Sequence, residues 1–380
     1  MRVSARQLNR ATLERQLLLR REELAPGEAV RRVVALQAQE APSPYIALWN
    51  RVAGFDAAAL DAALASHELV KATVMRVTLH LVHHDDYPAF HEAMQRTLRG
   101  ARFHDPRFKV AGLSVAEVEA LLPELLEFTA QPRSNAEMER WLDERHGRQL
   151  ERPGVWWAMR HVGPFVHAPV GGPWSFGARP AYLAARRLER AGDWEASTKT
   201  LIRRYLEGFG PASLADFCQF AFIPKGWARP VWESLADELA RLEGPAGEEL
   251  YDIPGATVPD EDVPAPPRLL PMWDSILLAY ADRRRVLPEE YRKFITRSNG
   301  DTLPTLLVDG QVRGVWRPID GTIEATAFEP LAQEDWAGLE SEAARLRAFL
   351  AGRDPKVYTR YARWWDRLPP GEVRVLGGGG

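Results

Sequence analysis

Amphipathic helices followed by a run of β-branched residues, in an order that recurs along the chain, constrain this protein more than any single motif. Residues 5–18 put Leu8, Leu13, Leu17 and Leu18 near helical spacing, and residues 28–37 put Ala29, Val33 and Leu36 on one stripe. Asp56 stands before AAALDAALAS as a helix cap. The next segment, LVKATVMRVTLHLV, predicts strand, bend and strand. Asp85 and Asp86 then open a helix with Pro88 in its first turn, where a missing N–H costs little. Helices, a β pair and a helix are the layout of a winged helix-turn-helix.

The order comes back. Ser114 opens VAEVEALLPELLEFT, and Ser134 with Glu137 forms a capping box before AEMERWLDERH. VWWAMRHV predicts another helix, and GPFVHAPVGGPWSFG is a Gly/Pro-broken ribbon suited to a wing. A third round from near Ser197 reads TKTLIRRYLEGFG, ASLADFCQFAF, GWARPVWESLADELARLE and a short strand near residues 249–253. Residues 254–267, rich in proline and acid, predict a linker. Beyond it LLPMWDSILLAY mixes strand and helix signals, and Asp309-Gly310 suits a two-residue hairpin turn inside TLLVDGQVRGVWRPI. EATAF predicts a further strand and LESEAARLRAFLAG a closing helix. The expected class is therefore α+β. Three tandem winged-helix units would occupy residues 1–112, 113–194 and 195–266, the last with the linker, and a β-containing C-terminal module residues 267–380. Residues 377–380, all glycine, predict a flexible tail.

Bulk properties narrow the function. The 380 residues carry a formal charge of -3, so a nucleic-acid partner needs local basic patches rather than bulk attraction. Cys218 is the single cysteine, which leaves no intrachain disulfide and no cysteine cluster for zinc, and its apolar surroundings predict an inert core thiol. Neither a membrane span nor a signal peptide is visible, and a cytoplasmic, nucleoid-associated protein is expected. No P-loop, GxGxxG in a strand–helix context or nucleophile elbow is present, and no cofactor is expected.

Several stretches, LNRATLERQLL, VVALQAQEAPSPYIALWNRV, MRVTLHLVHHDDYPAF, LLPMWDSILLAYADRRRVLP and LPTLLVDGQVRGVW, resemble the AlkZ/YcaQ family of winged-helix DNA glycosylases and occur in that family's order. The triplet Gln37-Ala38-Gln39 is similar to the Gln–apolar–Gln signature of the AlkZ branch; the YcaQ branch has Asp at the third position. The resemblance implies tandem winged helices wrapped as a C around double-stranded DNA. It implies hydrolysis of the N-glycosidic bond of N7-alkylated purines, and the AlkZ branch is associated with unhooking azinomycin-type interstrand crosslinks in self-resistance. A monomer is expected.

The chemistry suits amides. An N7-alkylpurine is a cationic leaving group, so what remains is to position water and stabilise an oxocarbenium-like state. A glutamine oxygen can face that charge and its NH2 can hold a sugar or phosphate oxygen, but an amide is no general base. Residues two apart in extended backbone share a side, whereas in a helix they diverge. Ala41-Pro42-Ser43-Pro44 ends any helix here, so Gln37 and Gln39 are expected at a helix end, facing one open site rather than a closed base pocket. For DNA contact the sequence offers Arg283, Arg284, Arg285, Lys293 and Arg297, together with Gln311 and Arg313 by the hairpin tip. His80, His83 and His84 with Asp85 and Asp86 gather potential ligands, but no remote ligand set accompanies them and no metal is expected. The rival readings are a non-catalytic winged-helix regulator and a protein-interaction scaffold.

Overall fold

The structure, a computed structural model, describes residues 1–146, 154–177, 179–186 and 191–377. Helix α1 (Ala5–Arg15) begins at a capping box between Ser4 and Gln7. The first round of elements is α2 (Pro26–Arg32), β1 (Leu36–Gln37), α3 (Ser43–Arg51), α4 (Ala57–Ala65), β2 (Leu69–Thr73) and β3 (Leu79–His83). Helices α5 (Tyr87–Phe103) and α6 (Pro106–Lys109) lead to the second: α7 (Val115–Ala120), α8 (Leu122–Phe128), β4 (Arg133–Ser134), α9 (Asn135–His146), α10 (Gly154–Val162), β5 (Phe165–His167) and β6 (Ala181–Ala184). The third is α11 (Trp194–Phe209), α12 (Leu214–Ala221), α13 (Lys225–Glu233), β7 (Ala240–Glu243) and β8 (Glu249–Asp252).

The rounds share a pairing rule. A short first strand joins the last strand, β1 with β3 and β4 with β6. In the third round the first strand shrinks to one bridge between Ala212 and Tyr251 of β8. The first two rounds fuse through Lys71 of β2 and His167 of β5, giving a six-stranded antiparallel sheet in the order β1-β3-β2-β5-β6-β4. The order of one half mirrors the other, so both hairpins lie side by side.

The C-terminal module comprises β9 (Arg268–Leu270), α14 (Glu289–Ile295), β10 (Thr305–Val308), β11 (Gln311–Ile319), β12 (Thr322–Ala327), α15 (Gln333–Ala351) and β13 (Glu372–Leu376). Its five strands run antiparallel in the order β13-β12-β11-β10-β9. Helix α15 buries Leu339, Ala343, Leu346 and Leu350, which join Trp316 and Val315 of the sheet in one core. That core also takes in Leu13, Val30, Ile46 and Leu60, so the first round packs on the C-terminal module. A second core joins Phe90 and Met94 of α5 to Trp156, Tyr205 and Phe217 and holds the second and third rounds together. Arg51 and Asp274, both fully buried, form a bidentate pair at 2.9 and 2.8 Å that locks α3 to the C-terminal module. No helix is long and apolar enough to cross a membrane, among the described residues.

Four local expectations change. The helix expected over 28–37 stops at Arg32, because Val34 takes φ +75° and turns the chain into β1. The stretch opened by Ser114 breaks into α7 and α8 at Pro123, which cannot continue the backbone ladder. The helix expected through GWARPVWESLADELARLE ends at Glu233, and its last four residues become β7, paired with β8 from Ala240–Asp252 to Glu243–Glu249. Residue 377 of the expected tail is held by a hydrogen bond from its N–H to Glu340 Oε1; residues 378–380 lie outside the described residues.

Candidate active site

The turn before β1 is set from outside. Gln16 Nε2 donates to Gly208 O at 2.9 Å and reaches Val33 O at 3.4 Å, tying α11 to the end of α2. A Cβ on Gly208 would lie 2.5 Å from Val34 Cγ2, so only glycine lets the helix come this close. From that turn Leu36 pairs with Leu81 and Gln37 with His80, and Ala38 N–H donates to Leu79 O at 2.8 Å. The triplet therefore runs out of a short strand, Gln37 within β1 and Gln39 at the bend just after it, rather than sitting at a helix end. Its spacing has the consequence expected of extended backbone: Gln37 and Gln39 line one cleft.

Gln37 is buried, at 5% exposure, and its orientation is dictated by Arg76. Arg76 Nη2 donates to Gln37 Oε1 at 2.8 Å. A guanidinium has no acceptor, so the Gln37 atom that faces it is oxygen and the Nε2 amide turns away from it. The same Nη2 lies 2.9 Å from His80 Nε2, which must then be the acceptor, and His80 carries its proton on Nδ1, 3.1 Å from Thr78 O. Burial and the Arg76 charge hold the His80 imidazolium far below its usual range. Arg76 also donates from Nη1 to Phe220 O at 3.0 Å, and burial, with the repulsion of Arg283, pulls its own pKa down to about 9. Arg76 and Val77 both sit at positive φ, +54° and +57°, a costly backbone for such residues at the tip between β2 and β3. Gln39 is exposed and less constrained, its Oε1 3.4 Å from Leu79 N.

The cleft, ≈ 470 Å³, is bounded by the fused sheet on one side and the C-terminal module on the other. Thr73, Thr78 and Leu79 continue the Gln37 wall, Arg102, Arg160, His161, His167 and Tyr182 come from α5 and the second round, and Trp273, Asn299, Gly300 and Asp301 face them. It opens to solvent at Gln39, Asn299 and Gly300. Burial and the neighbouring guanidiniums Arg107 and Arg160 lower Arg102 to about 10, so it stays charged at neutral pH. Burial, with the Arg102 charge, lowers His161 to about 3, and burial drives His167 well below its usual range. The cleft thus presents two guanidiniums, two imidazoles kept neutral, three amides (Gln37, Gln39 and Asn299) and one carboxylate, Asp301, among its described residues.

Beside the Asp301 wall, the short 3-10 segment Thr359–Arg367 surrounds Trp364 with cations. Arg297, Arg363 and Arg367 lie 5.1, 4.9 and 5.2 Å from the Trp364 ring, and Arg363 and Arg367 are exposed. Trp364 Nε1 donates to Asp301 Oδ2 at 2.9 Å, so this strip and the cleft wall are one unit. Glu40, next to the triplet, is engaged by Arg360 and by the Tyr361 hydroxyl at 3.0 Å.

None of the other sequence-picked residues lines the cleft. Arg283 is buried and donates to Thr296 Oγ1, Arg284 pairs with Asp282, and Arg285 donates to Pro211 O and stacks over Tyr280. Lys293 is exposed above Phe294, while Arg297 donates to Trp364 O at 3.1 Å and borders the Asp301 loop. Gln311 donates to Arg285 O, and Arg313 pairs with Glu329. The hairpin tip beside them is docked rather than projecting: Asp309 is paired with Arg6 and Arg10, and Gly310 abuts Asn9 and Leu13 of α1. Trp156 is core, and Arg102 and Arg107 both lie over the Trp157 ring. Burial raises the Cys218 thiol to about 11, so it is not a thiolate at neutral pH. His83, His84 and Asp85 do cluster, their donor atoms within 4.8 Å of one another, but His80 belongs to the Arg76 network instead. Sequence reading passes over Arg76, Arg102, Arg160, Asp301 and the strip. The signals that carry them are a lone arginine in the bend of LVKATVMRVTLHLV and the alternation of arginine and aromatics in TRYARWWDR.

The scaffold is a mixed α/β one whose helices and antiparallel sheets close a cleft holding both amides and two guanidiniums, and likeness to known proteins gives its class, a DNA glycosylase. The chain matches the DNA glycosylase AlkZ-like family over residues 30–349, and it belongs to that family. It is 24% identical over 364 residues to an interstrand DNA cross-link repair glycosylase of Streptomyces sahachiroi, covering 91% of this chain and 96% of that protein. The solved structure of the Streptomyces sahachiroi DNA glycosylase AlkZ has the same fold, with a TM-score of 0.77 at 22% identity, over 92% of this chain and 97% of that one.

Proposed function

We propose that this glycosylase excises N7-alkylated purines from double-stranded DNA and unhooks interstrand crosslinks made through such adducts, including azinomycin-type crosslinks, as repair and self-resistance. The observation that carries the reading is the juxtaposition of Gln37 and Gln39 in one open cleft with Arg102 and Arg160. The two guanidiniums take the phosphates that flank the lesion. Gln37, its oxygen held by Arg76, offers its NH2 to a sugar or phosphate oxygen. Gln39 turns its freer oxygen to water and to the positive charge that grows at the anomeric carbon. The leaving purine is already cationic, so it departs with the bonding electrons as a neutral base and needs no proton. An open cleft also suits a crosslinked base, which cannot swing fully out while tethered to the other strand.

On this reading each helix–strand–helix–helix–strand–strand round is a winged helix, three in tandem within residues 1–112, 113–194 and 195–266. With the module at 267–380 they wrap DNA as a C. Arg283, Arg284, Arg285, Lys293, Arg297, Gln311 and Arg313 are proposed to border that path, with Arg297 the one tied to the cleft wall. The protein acts as a monomer at the cytoplasmic nucleoid. Denaturing gels of a duplex carrying one N7-linked interstrand crosslink test this: the protein converts it to separate strands bearing an abasic site and leaves undamaged duplex intact. A crosslinked duplex that stays joined, with N7-methylguanine also retained, contradicts it.

A further inference from the structure

The geometry points to Asp301 as the catalytic carboxylate that neither glutamine can be: it takes the proton of the attacking water and faces the oxocarbenium charge from the wall opposite Gln37 and Gln39. The inference rests on the glycosylase cleft described above. Asp301 is the one carboxylate among the described residues lining that cleft, whereas Glu40, nearer in sequence to the triplet, is tied to Arg360 and Tyr361. It is also an oriented group. Trp364 Nε1 and Asn299 Nδ2 both donate to Oδ2 at 2.9 Å, and Asp301 N–H donates to Asn299 Oδ1 at 3.1 Å. With both donors on Oδ2, Oδ1 receives no hydrogen bond from the described residues and keeps its lone pairs for a ligand. The loop that carries it is braced from behind, because Trp273 Nε1 donates to Gly300 O at 2.9 Å and Arg297 N–H to Asp301 O at 2.8 Å.

The step balances. The C1′–N9 bond breaks with its electron pair going to the cationic purine, which leaves neutral. Water forms the new C1′–O bond and gives one proton to Asp301 Oδ1, which releases it to solvent after product leaves. A carboxylate between the Arg102 and Arg160 side of the cleft and the cations around Trp364 also opposes DNA phosphates, so its removal slows chemistry without weakening binding.

The test is single-turnover release of N7-methylguanine from duplex, with DNA affinity and melting temperature measured on the same samples. Asp301→Asn is expected to lose about 100-fold or more in rate, with affinity unchanged or tighter and melting unchanged. In Asp301→Ala, formate restores the rate in a saturable way. A rate within about threefold of wild type for Asp301→Asn, while Gln37→Ala and Gln39→Ala are inactive, overturns the role of Asp301 and leaves the cleft standing. Full activity in all three variants overturns the cleft as well. A folded, DNA-binding Asp301→Ala that formate does not rescue marks Asp301 as merely structural and contradicts the proposal.

Discussion

A glutamine in an active site is chemically ambiguous, because its two terminal atoms have opposite roles and similar shape. Here the ambiguity at position 37 is removed by a buried guanidinium. Arg76 holds the carbonyl oxygen, which leaves the Gln37 NH2 as the group free to donate, and the proposed mechanism uses Gln39 as the acceptor. Replacing Arg76 by alanine leaves Gln37 Oε1, His80 Nε2 and Phe220 O without their donor and costs about 3 kcal/mol of stability. It also lets Gln37 rotate, so base release falls about 10- to 100-fold. Denaturant titration and single-turnover rates check the two effects, and unchanged kinetics would remove the positioning role. Buried neutral imidazoles make a second prediction. Burial lowers His91 to about 4 and His161 to about 3, and holds His80 and His167 low as well. The unfolded chain protonates these groups near the ordinary pKa of about 6.5 while the folded chain does not. Stability is therefore whole above that value and falls as pH drops below it, by on the order of 3 kcal/mol from His91 alone once the pH is below 4. Melting curves between pH 7 and 4 should fall steadily; a flat profile contradicts the buried neutral states. Of this site, the triplet itself and an open cleft shared by Gln37 and Gln39 were legible in the sequence, but its backbone was not: the sequence puts it at a helix end, whereas the positive φ of Val34 and pairing with β3 make a short strand. Arg76 was not, since its importance arises from a left-handed turn and from Phe220, 144 positions away.

Among the elements, the basic clusters show how charge density in sequence differs from available charge in space. Arg283, Arg284 and Arg285 stand together in sequence, yet a hydroxyl, a carboxylate and a backbone carbonyl take one guanidinium each. The segment Thr359–Arg367 spreads its arginines around Trp364 and leaves Arg363 and Arg367 exposed beside the cleft. If this strip meets phosphate, Arg363→Ala and Arg367→Ala each lower the slope of log affinity against log salt by about 1, equally on undamaged and alkylated duplex. Salt titrations of binding measure this, and an unchanged slope excludes the strip from the interface. The hairpin at Asp309-Gly310 was legible from its turn residues and forms where expected. Its docking on α1 was not, because it depends on Arg6 and Arg10 three hundred positions upstream.

For the whole molecule, repetition of one element order gave the α+β class from sequence, but not the way the rounds are joined. A single strand pairing, Lys71 with His167, fuses two of them into one sheet, and the two cores both cross the boundaries that the order of elements draws. Pairing partners in different rounds carry no local signal, which is why cooperativity could not be read from the repeats. Residues 1–112 alone would expose the side of Leu13, Val30 and Ile46 that packs on the C-terminal module and the face of α5 that packs on α11. That fragment should show no cooperative melting, whereas the full chain melts in one transition; an independently folded fragment would contradict a shared core. The same closure of the C-terminal module against the fused sheet is what makes a cleft around two amides, one on a short strand and one just after it. The central claim is that those amides act on a labile cationic base. Single-turnover release of N7-methylguanine from duplex by the wild-type chain, Gln37→Ala and Gln39→Ala measures it most directly. Each variant should remain folded and able to bind DNA but lose about 10²–10³ in rate; wild-type rates in both would contradict the account.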